Sequence, residues 1–421
     1  MHCWRVSRFA STLVAFALLC ALTGCGGGRM VPAPVGSPQS PYGADQFPPP
    51  PEGPATPPPG PSSAAGPVKV ALLVPLSGAN ADLGKAMLEA AQLALFTTGS
   101  DRLTLIPRDT AGTAQGAANA ARSAVAEGAK LIIGPLLATE VEAVKPIARD
   151  AGINVIAFST ATQLGGGNVF LMGFLPRQEV VREVAFARSN GLSRFAALAP
   201  NTQYGHLMTD ALRDAVRTSG GSVAKIEYLD PRAADSTAAI KQLLSPGGPA
   251  PPTADALPPA GANFDALLLP EGGAQLKQIA DQLQQAGLDT GQVRLLGSGL
   301  WDDPSINGQS ALEGGWFATS PPEPRREFDR RFQATYGHSP PRLASLAFDA
   351  AALAAVLAKA DGGQPFSQEA IRNPSGFTGV DGLLRFTAQG LVQRGLAVLQ
   401  VGPSGNTVVS PAPQNFEDAS F

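Results

Sequence analysis

The sequence is poor in cysteine and histidine. Its 421 residues include three of each. Cys3 and Cys20 lie in an apolar N-terminal segment that is predicted to be cleaved off, so only Cys25 is expected in the mature chain and no internal disulfide can form. His206 and His338, the two histidines beyond that segment, stand in no metal-ligand spacing. We therefore expect no metal site and a fold stabilised by an ordinary hydrophobic core.

The sequence also lacks the motifs of common enzymes and nucleic-acid-binding proteins. It has no Gly-x-Ser-x-Gly elbow, no Gly-x-Gly-x-x-Gly turn and no phosphate-binding Gly-Lys-Ser/Thr loop. Its net charge is −3 and only 15% of its residues are charged, which gives no basic patch for nucleic acid. We therefore expect a protein that is not an enzyme, uses no cofactor and binds no nucleic acid.

The N-terminus has the three parts of a secretory signal. Arg5 and Arg8 precede an apolar run over 9–22, and Leu22-Thr23-Gly24-Cys25 follows as a cleavage box. The run is shorter than the roughly 20 apolar residues of a membrane-spanning helix. The box resembles the lipobox of bacterial lipoproteins, which implies that residues 1–24 are removed and that lipid on Cys25 anchors the chain to a membrane. The alternative is an ordinary secreted protein with a cysteine near its cleavage site.

Residues 25–67 are predicted to be a disordered linker. From Val31 to Pro67 the sequence consists largely of Pro, Gly, Ala and Ser, which bury too little apolar surface to fold. Such a segment favours polyproline II at about 3.1 Å per residue, so some 40 residues could reach on the order of 100 Å. A passive spacer and a stalk that crosses the periplasm are both compatible with this composition.

Strand and helix patterns alternate from Val68 onward in two series, separated by a break at 174–177. Runs rich in β-branched and other apolar residues predict strands at 68–75, 103–108, 130–134, 154–158, 195–199, 221–228, 264–269 and 293–297. Apolar residues at helical spacing predict helices at 83–96, 114–127, 140–151, 207–219, 234–244 and 275–286. A Pro-rich stretch at 246–262 is interpreted as a surface insertion. This alternation predicts two α/β lobes with parallel sheets, and ligands bind beyond the carboxyl ends of such strands.

Four segments resemble type I periplasmic binding proteins, in particular the leucine/isoleucine/valine-binding family: 70–78 (VALLVPLSG), 132–136 (IIGPL), 146–155 (PIARDAGINV) and Tyr204-Gly205. The resemblance implies two doubly wound parallel-sheet lobes joined by three crossing strands. It places residues 68–175 and 321–375 in lobe 1, residues 176–320 and 376–402 in lobe 2, and residues 403–421 in a C-terminal tail. Helices at 325–336 and 343–360 are expected to pack on lobe 1.

The resemblance also implies a ligand-binding cleft between the lobes. In amino-acid receptors of this family, hydroxyls and helix N-termini of lobe 1 hold the ligand carboxylate, and an acid of lobe 2 holds the ammonium. The positions that match are Ser77, Thr139, Ser159 and Thr160 as hydroxyl donors, Tyr204 as a side chain closing over the ligand, Glu271 as the acid, and Trp301 at the cleft mouth. Structural alternatives are turn capping for Ser77, Ser159 and Thr160, a solvated loop carboxylate or a helix N-terminal acid for Glu271, and a packing aromatic for Trp301.

Three positions depart from the amino-acid receptor pattern. Ala138 and Ala161 stand where hydroxyls are expected, and Leu83 stands where an aromatic residue often lines the pocket. Losing one charge-assisted hydrogen bond costs about 1.5–3 kcal/mol. The sequence therefore predicts a weakened amino-acid site.

Later segments resemble proteobacterial lipoproteins classed as penicillin-binding protein activators: 296–304 (LGSGLWDDP), 313–318 (EGGWFA), 341–350 (PRLASLAFDA) and 376–386 (GFTGVDGLLRF). That resemblance implies a protein partner, a peptidoglycan synthase. Gly26 after Cys25, where an aspartate would retain a proteobacterial lipoprotein in the inner membrane, favours the outer membrane. Two functions therefore remain open: an activator of cell-wall synthesis, and a solute receptor that delivers branched-chain amino acids or another small polar ligand to an ABC permease.

Overall fold

The computed structural model describes residues 66–232, 235–245, 263–359 and 364–417. All of them belong to one compact unit, Ala64–Phe421. The predicted signal peptide, Cys25, most of the linker and the insertion at 246–262 lie outside the described residues. Within the described ranges, no helix is both long and apolar enough to cross a membrane.

The first lobe is built on a five-stranded parallel sheet in the order β2-β1-β3-β4-β5. Its strands are β1 (Val68–Val74), β2 (Leu103–Asp109), β3 (Leu131–Ile133), β4 (Asn154–Ala157) and β5 (Val169–Leu171). The helices that alternate with them are α1 (Ala81–Thr98), α2 (Ala114–Ala126) and α3 (Ala138–Asp150). The sequence pattern predicted each of these except β5, with ends that differ by up to two residues.

Burial explains the first-lobe pattern. Val70 to Val74 are five consecutive residues with no solvent exposure, as expected for a parallel strand covered on both faces. Helix α2 begins where the Thr113 side chain accepts a hydrogen bond from the N–H of Gly116 at 3.0 Å. Its buried face is all alanine, which lets it pack closely against α3. The local chemistry therefore agrees with the packing of the lobe.

The second lobe contains a seven-stranded sheet in the order β15-β14-β10-β9-β8-β6-β7. Its strands are β6 (Arg194–Pro200), β7 (Ser222–Leu229), β8 (Ala266–Leu268), β9 (Arg294–Leu296), β10 (Trp316–Thr319), β14 (Ala397–Gln400) and β15 (Thr407–Ser410). Its helices are α4 (Pro176–Ser189), α5 (Gln203–Thr218), α6 (Thr237–Leu244) and α7 (Gly273–Gln285). Strands β6 to β10 are parallel, whereas β14 and β15 add antiparallel edges. The predicted tail therefore contains β15.

After β10 the chain returns to the first lobe, where Phe328 and Phe332 of α8 and much of α9 join its hydrophobic core. The elements in this return are α8 (Pro322–Tyr336), α9 (Ala344–Lys359), α10 (Gln368–Ile371), β11 (Phe377–Gly379), β12 (Gly382–Phe386) and β13 (Val392–Arg394). The two helices predicted here are present. Helix α9 is mostly buried and packs against α1.

The predicted return to the second lobe near Gly376 is wrong in its position. Strands β11 to β13 form their own antiparallel sheet, and Leu384, Phe386 and Val392 lie in the core of the first lobe. The chain re-enters the second-lobe sheet only at β14. The reason is that the apolar side chains of the hairpin bury against first-lobe helices, whereas β14 pairs with β10. In the described residues the chain thus crosses between lobes near 173–175, 320–321 and 395.

Candidate functional site

Loops at the carboxyl ends of the first-lobe strands form the first wall of the predicted cleft. Asp109, at the end of β2, organises the loop after β1. Its carboxylate accepts the backbone N–H groups of Leu76 at 2.8 Å, Ser77 at 3.2 Å and Ala111 at 2.7 Å, and the Ser77 hydroxyl at 2.6 Å. Burial opposes ionisation of Asp109, but these hydrogen bonds outweigh it and lower its pKa. Ser77 is exposed, and its hydroxyl donates to Asp109, so toward a ligand its oxygen is an acceptor.

The loop after β3 leads into α3. The N–H of Leu137 donates to the Glu140 carboxylate at 2.9 Å, while Thr139 lies exposed in the first turn of the helix. The first N–H groups of a helix have no intrahelical acceptor, so this turn offers donors to an anion. Ala138 occupies the same turn without a hydroxyl to add.

The loop after β4 carries Ser159 and Thr160. The buried Ser159 oxygen accepts the N–H of Ala161 at 3.2 Å, which is the turn-capping arrangement, whereas Thr160 is exposed. The N–H of Phe158 donates to the Pro135 oxygen at 3.0 Å and links this loop to the one after β3. Leu83, where the family pattern has an aromatic, packs against the first-lobe core.

The second wall comes from the loops after β6, β8 and β9. Tyr204, in the first turn of α5, is hydrogen-bonded to Ser298 after β9, and burial raises its pKa. Glu271 follows β8, is half-buried and has no hydrogen-bond or ion-pair partner among the residues that the structure describes. Burial raises its pKa. The predicted pair, Tyr204 and Glu271, thus lies on one wall and within electrostatic reach of each other.

Two acids on α4 lie next to this wall, and neither was predicted from the sequence. Glu179 accepts the N–H of Gly299 at 2.8 Å, and burial raises its pKa to about 7 although Gly299 and Arg342 oppose the shift. Glu183 is buried, accepts the N–H of Ala318 at 2.7 Å and has its pKa raised well above the usual range by burial. Both acids lie within electrostatic reach of Tyr204.

The predicted ligand role of Trp301 is wrong. Its side chain is fully buried in the second-lobe core, tilted against Phe317, and its indole N–H donates to the Leu269 oxygen at 3.2 Å. Gly297 and Gly315 lie so close that a Cβ on either would meet the indole ring, at 2.2 and 2.7 Å. Trp301 therefore packs the lobe and does not line the cleft.

A charged cluster joins the lobes where the chain crosses between them. Arg342 donates to the fully buried Asp381 at 2.8 Å and to Ser320 at 3.2 Å, and its guanidinium lies 3.8 Å from the centre of the Phe174 ring. Its side chain is 38% exposed, and its charge acts on the second-lobe acids Glu179 and Asp302. Arg342 is therefore a first-lobe cation facing second-lobe carboxylates.

The sequence pattern pointed only weakly to Arg342 and Glu179 as residues near the predicted site. Arg342 lies in the 341–350 segment that carried a family resemblance, but nothing in that segment shows which acids it faces. Glu179 lies just after the predicted break, in a helix that was not predicted. In the described part of the chain, no group of three or more His, Cys, Asp or Glu side chains is arranged to hold a metal ion.

Known structures share this architecture. A putative branched-chain amino acid ABC transporter protein from Rhodospirillum rubrum matches with a TM-score of 0.71 and 19% identity, over 82% of this chain and all of the other. A branched-chain amino acid transporter substrate-binding protein from Streptococcus pneumoniae, in complex with isoleucine, matches with a TM-score of 0.54 and 19% identity, over 82% of this chain and all of the other. A benzoate-bound solute-binding protein from Rhodopseudomonas palustris gives a TM-score of 0.56 and 19% identity, over 83% of this chain and 98% of the other.

At these identities the structural matches show the fold, which is the predicted type I α/β architecture with two parallel-sheet lobes. No curated protein matches the sequence significantly. A family model described as periplasmic binding protein matches residues 67–406, which include nearly every described element. The chain belongs to the periplasmic binding protein family.

Proposed function

We propose that this protein is a receptor that binds a small ligand with a cationic group in the cleft between its lobes and delivers it to an ABC permease. The observation that carries the proposal is Glu271, a half-buried carboxylate without a counter-ion among the described residues. A desolvated carboxylate gains most from a cationic partner. This function is non-enzymatic, as the family name implies for its members.

The charges on the two walls support a zwitterionic ligand. The second lobe contributes acids, Glu271 and Glu179, together with the Tyr204 hydroxyl. The first lobe contributes the first turn of α3 and the cation Arg342. An ammonium group would be held by Glu271 and a carboxylate by the first lobe. Amino acids, including branched-chain ones, fit this arrangement, and the solved neighbour from Streptococcus pneumoniae holds isoleucine.

The test is calorimetric titration of residues 64–421 with branched-chain and other amino acids. The same titrations use matched analogues that lack the ammonium or the carboxylate. Glu271→Gln should weaken binding of the zwitterion about tenfold to a hundredfold, since it removes one charge-assisted interaction. It should leave the analogue without ammonium unaffected. Glu313→Gln, an exposed second-lobe acid just before β10, is the control. Failure of every amino acid to bind, or equal affinities of both variants, would refute the proposal for this ligand class.

Family membership implies a periplasmic or extracytoplasmic location. We further propose that lipid on Cys25 anchors the protein, with the outer membrane favoured by Gly26. Mass spectrometry of the protein purified from membranes should find a diacylglyceryl-modified N-terminus at Cys25. Cys25→Ala should release the chain into the soluble fraction, and its retention in the membrane would contradict the anchor.

A regulatory role at a peptidoglycan synthase is the second candidate. It is supported by the lipobox, the long Pro-rich linker and the four later segments that resemble activator lipoproteins. The solved neighbours named above are transport-related, which favours the receptor. Recovery of a synthase with the lipidated protein after cross-linking in cells, lost with Cys25→Ala, would support the second candidate; recovery of a permease instead would support the first.

A further inference from the structure

A cavity of about 700 Å³ lies at the junction of the lobes, and its lining does not include the Ser77, Tyr204 and Glu271 positions of the proposed cleft site. Its walls come from both lobes. Leu391 and Thr162 belong to the first lobe, and Val181 and Arg182 lie on α4 of the second. The volume falls within the ordinary range of small-molecule sites, about 300–1,000 Å³.

The lining is mostly apolar and carries charge of one sign. Leu175, Val181, Leu391 and Leu396 contribute apolar surface, and Pro411 to Pro413 close one side. The charged lining residues are arginines, Arg177, Arg182 and Arg394, and no aspartate or glutamate joins them. An apolar cavity with only cations suits a molecule with an apolar body and an anionic head.

Arg182 is the cation that remains uncompensated. Arg177 is paired with Asp214 at 2.8 Å, and Arg394 is buried within reach of Asp381 and Asp349. Arg182 instead donates to neutral acceptors, from Nε to the Leu396 oxygen at 3.0 Å and from Nη2 to Ser410 Oγ at 2.5 Å. It has no acidic partner among the described residues, and its Nη1 makes no hydrogen bond there.

Burial makes this arginine unusual. Its side chain is half-buried, and burial lowers its pKa although a guanidinium keeps its proton in proteins. A desolvated cation without a counter-ion is costly, and an anion that reached Nη1 would relieve that cost. Leu396 and Ser410, which hold Nε and Nη2, fix the guanidinium in place before any ligand arrives.

We infer that this junction cavity is a second binding site, specific for an amphiphile with a carboxylate or phosphate head, whose head pairs with Arg182 and whose apolar body lies against Leu175, Val181 and Leu391. Because the walls belong to both lobes, such a ligand contacts both. Its binding free energy therefore depends on how the lobes are arranged, and by linkage it alters affinity in the cleft.

The test is calorimetric titration of residues 64–421, the compact unit that contains every described element. The probes are dodecanoate, dodecyl phosphate and dodecyltrimethylammonium, all kept below micelle formation. Saturable binding of either anion, at least tenfold tighter than binding of the cation, is expected, and the tighter of the two identifies the head group. Absence of saturable anion binding, or equal affinity for the cation, would overturn the inference.

Variants locate the site. Arg182→Gln should weaken binding of the anion about tenfold to a hundredfold, the range for one charge-assisted interaction. Arg188→Gln is the matched control, because Arg188 lies on the same helix and also donates to backbone carbonyls, those of Ser219 and Leu192, outside the cavity. Equal losses in both variants would count against the site.

Photo-cross-linking tests the same site on the unsubstituted protein and stays informative even if Arg182→Gln does not fold. A diazirine-labelled fatty acid should modify peptides covering 175–182 and 391–414. Modification elsewhere, or modification not displaced by excess dodecanoate, would refute the assignment.

Discussion

Replacing Asp381 with asparagine should destabilise the protein strongly. The Asp381 carboxylate is fully buried and accepts hydrogen bonds from Arg342 at 2.8 Å and from Ser345 at 2.7 Å. Arg394 nearby is also buried, and its Nε and Nη1 have no hydrogen-bond partner in the described structure. Breaking a buried ion pair by removing one partner typically costs about 3–5 kcal/mol, because the remaining charge is neither hydrated nor paired.

A second buried carboxylate, Asp349, determines how much of this range of about 3–5 kcal/mol the Asp381→Asn variant should lose. Burial, and then repulsion by Asp381, raise the pKa of Asp349. Without the charge of Asp381 that repulsion disappears, so Asp349 ionises more readily and partly compensates the arginines. We therefore expect a loss near the lower end, about 3 kcal/mol.

The control is a pair with the same distance but different burial. Arg177 and Asp214 are also 2.8 Å apart, but the Asp214 side chain is 36% exposed. Asp214→Asn should cost no more than about 1 kcal/mol. Urea unfolding of residues 64–421, followed by circular dichroism and by tryptophan fluorescence, measures both losses and checks that the two probes agree. Equal losses for the two variants would show that burial does not govern the energy of this cluster.

Three further predictions concern stability. The raised pKa of Glu179 means that the folded protein keeps its proton between about pH 4.5 and 7 while the unfolded chain loses it, so stability falls as pH rises through this window. Glu179→Gln should remove only the part of this dependence that Glu179 contributes, at most about 1.4 kcal/mol per pH unit, measured by urea unfolding at several pH values. Glu183 and Asp349, whose pKa values burial also raises, keep their own contributions. Trp301→Ala should lower the free energy of unfolding by about 3–5 kcal/mol without selectively abolishing ligand binding. A loss of ligand binding at unchanged stability would instead show that Trp301 contacts the ligand. Thr113→Ala should lower the free energy of unfolding by about 1 kcal/mol, because it removes the N-cap of α2. Thr113→Ser keeps a capping hydroxyl and should cost much less, and thermal unfolding of both variants measures the difference.

The alternating elements were predictable because each carries a local apolar pattern that matches its burial: β1 is covered on both faces, and α2 buries one alanine face. Helix α4 was missed because a charged residue, Glu183, occupies one of its four buried positions and interrupts the apolar repeat. The short strand β5 was missed because it has three residues beside a glycine-rich turn. The hairpin of β12 and β13 packs on the first lobe through tertiary contacts, and no local signal distinguishes that from second-lobe packing.

The candidate site was predictable to the extent that it depends on strand ends. Ser77, Tyr204 and Glu271 follow strands that the pattern located, so their neighbourhood followed from topology. Whether Ser77 or Ser159 faces a ligand depends on its hydrogen-bond partners. Asp109, 32 residues away in sequence, accepts the Ser77 hydroxyl, whereas the Ser159 oxygen accepts the N–H of Ala161 within a local turn. Whether the ligand roles of these residues hold remains a prediction.

The charged cluster at the lobe junction ties the stability of the fold to the proposed function. Arg342 is held by Asp381 and Ser320, yet 38% of its side chain stays exposed and acts on Glu179 of the other lobe. A buried anion thus fixes a cation that stays partly exposed where the lobes meet, and a pre-positioned guanidinium loses less entropy when an anion binds. A lobe rotation that separates Arg342 from Glu179 would change the charge that each presents to a ligand. The same contacts that make Asp381 costly to replace therefore place a cation where the two lobes meet.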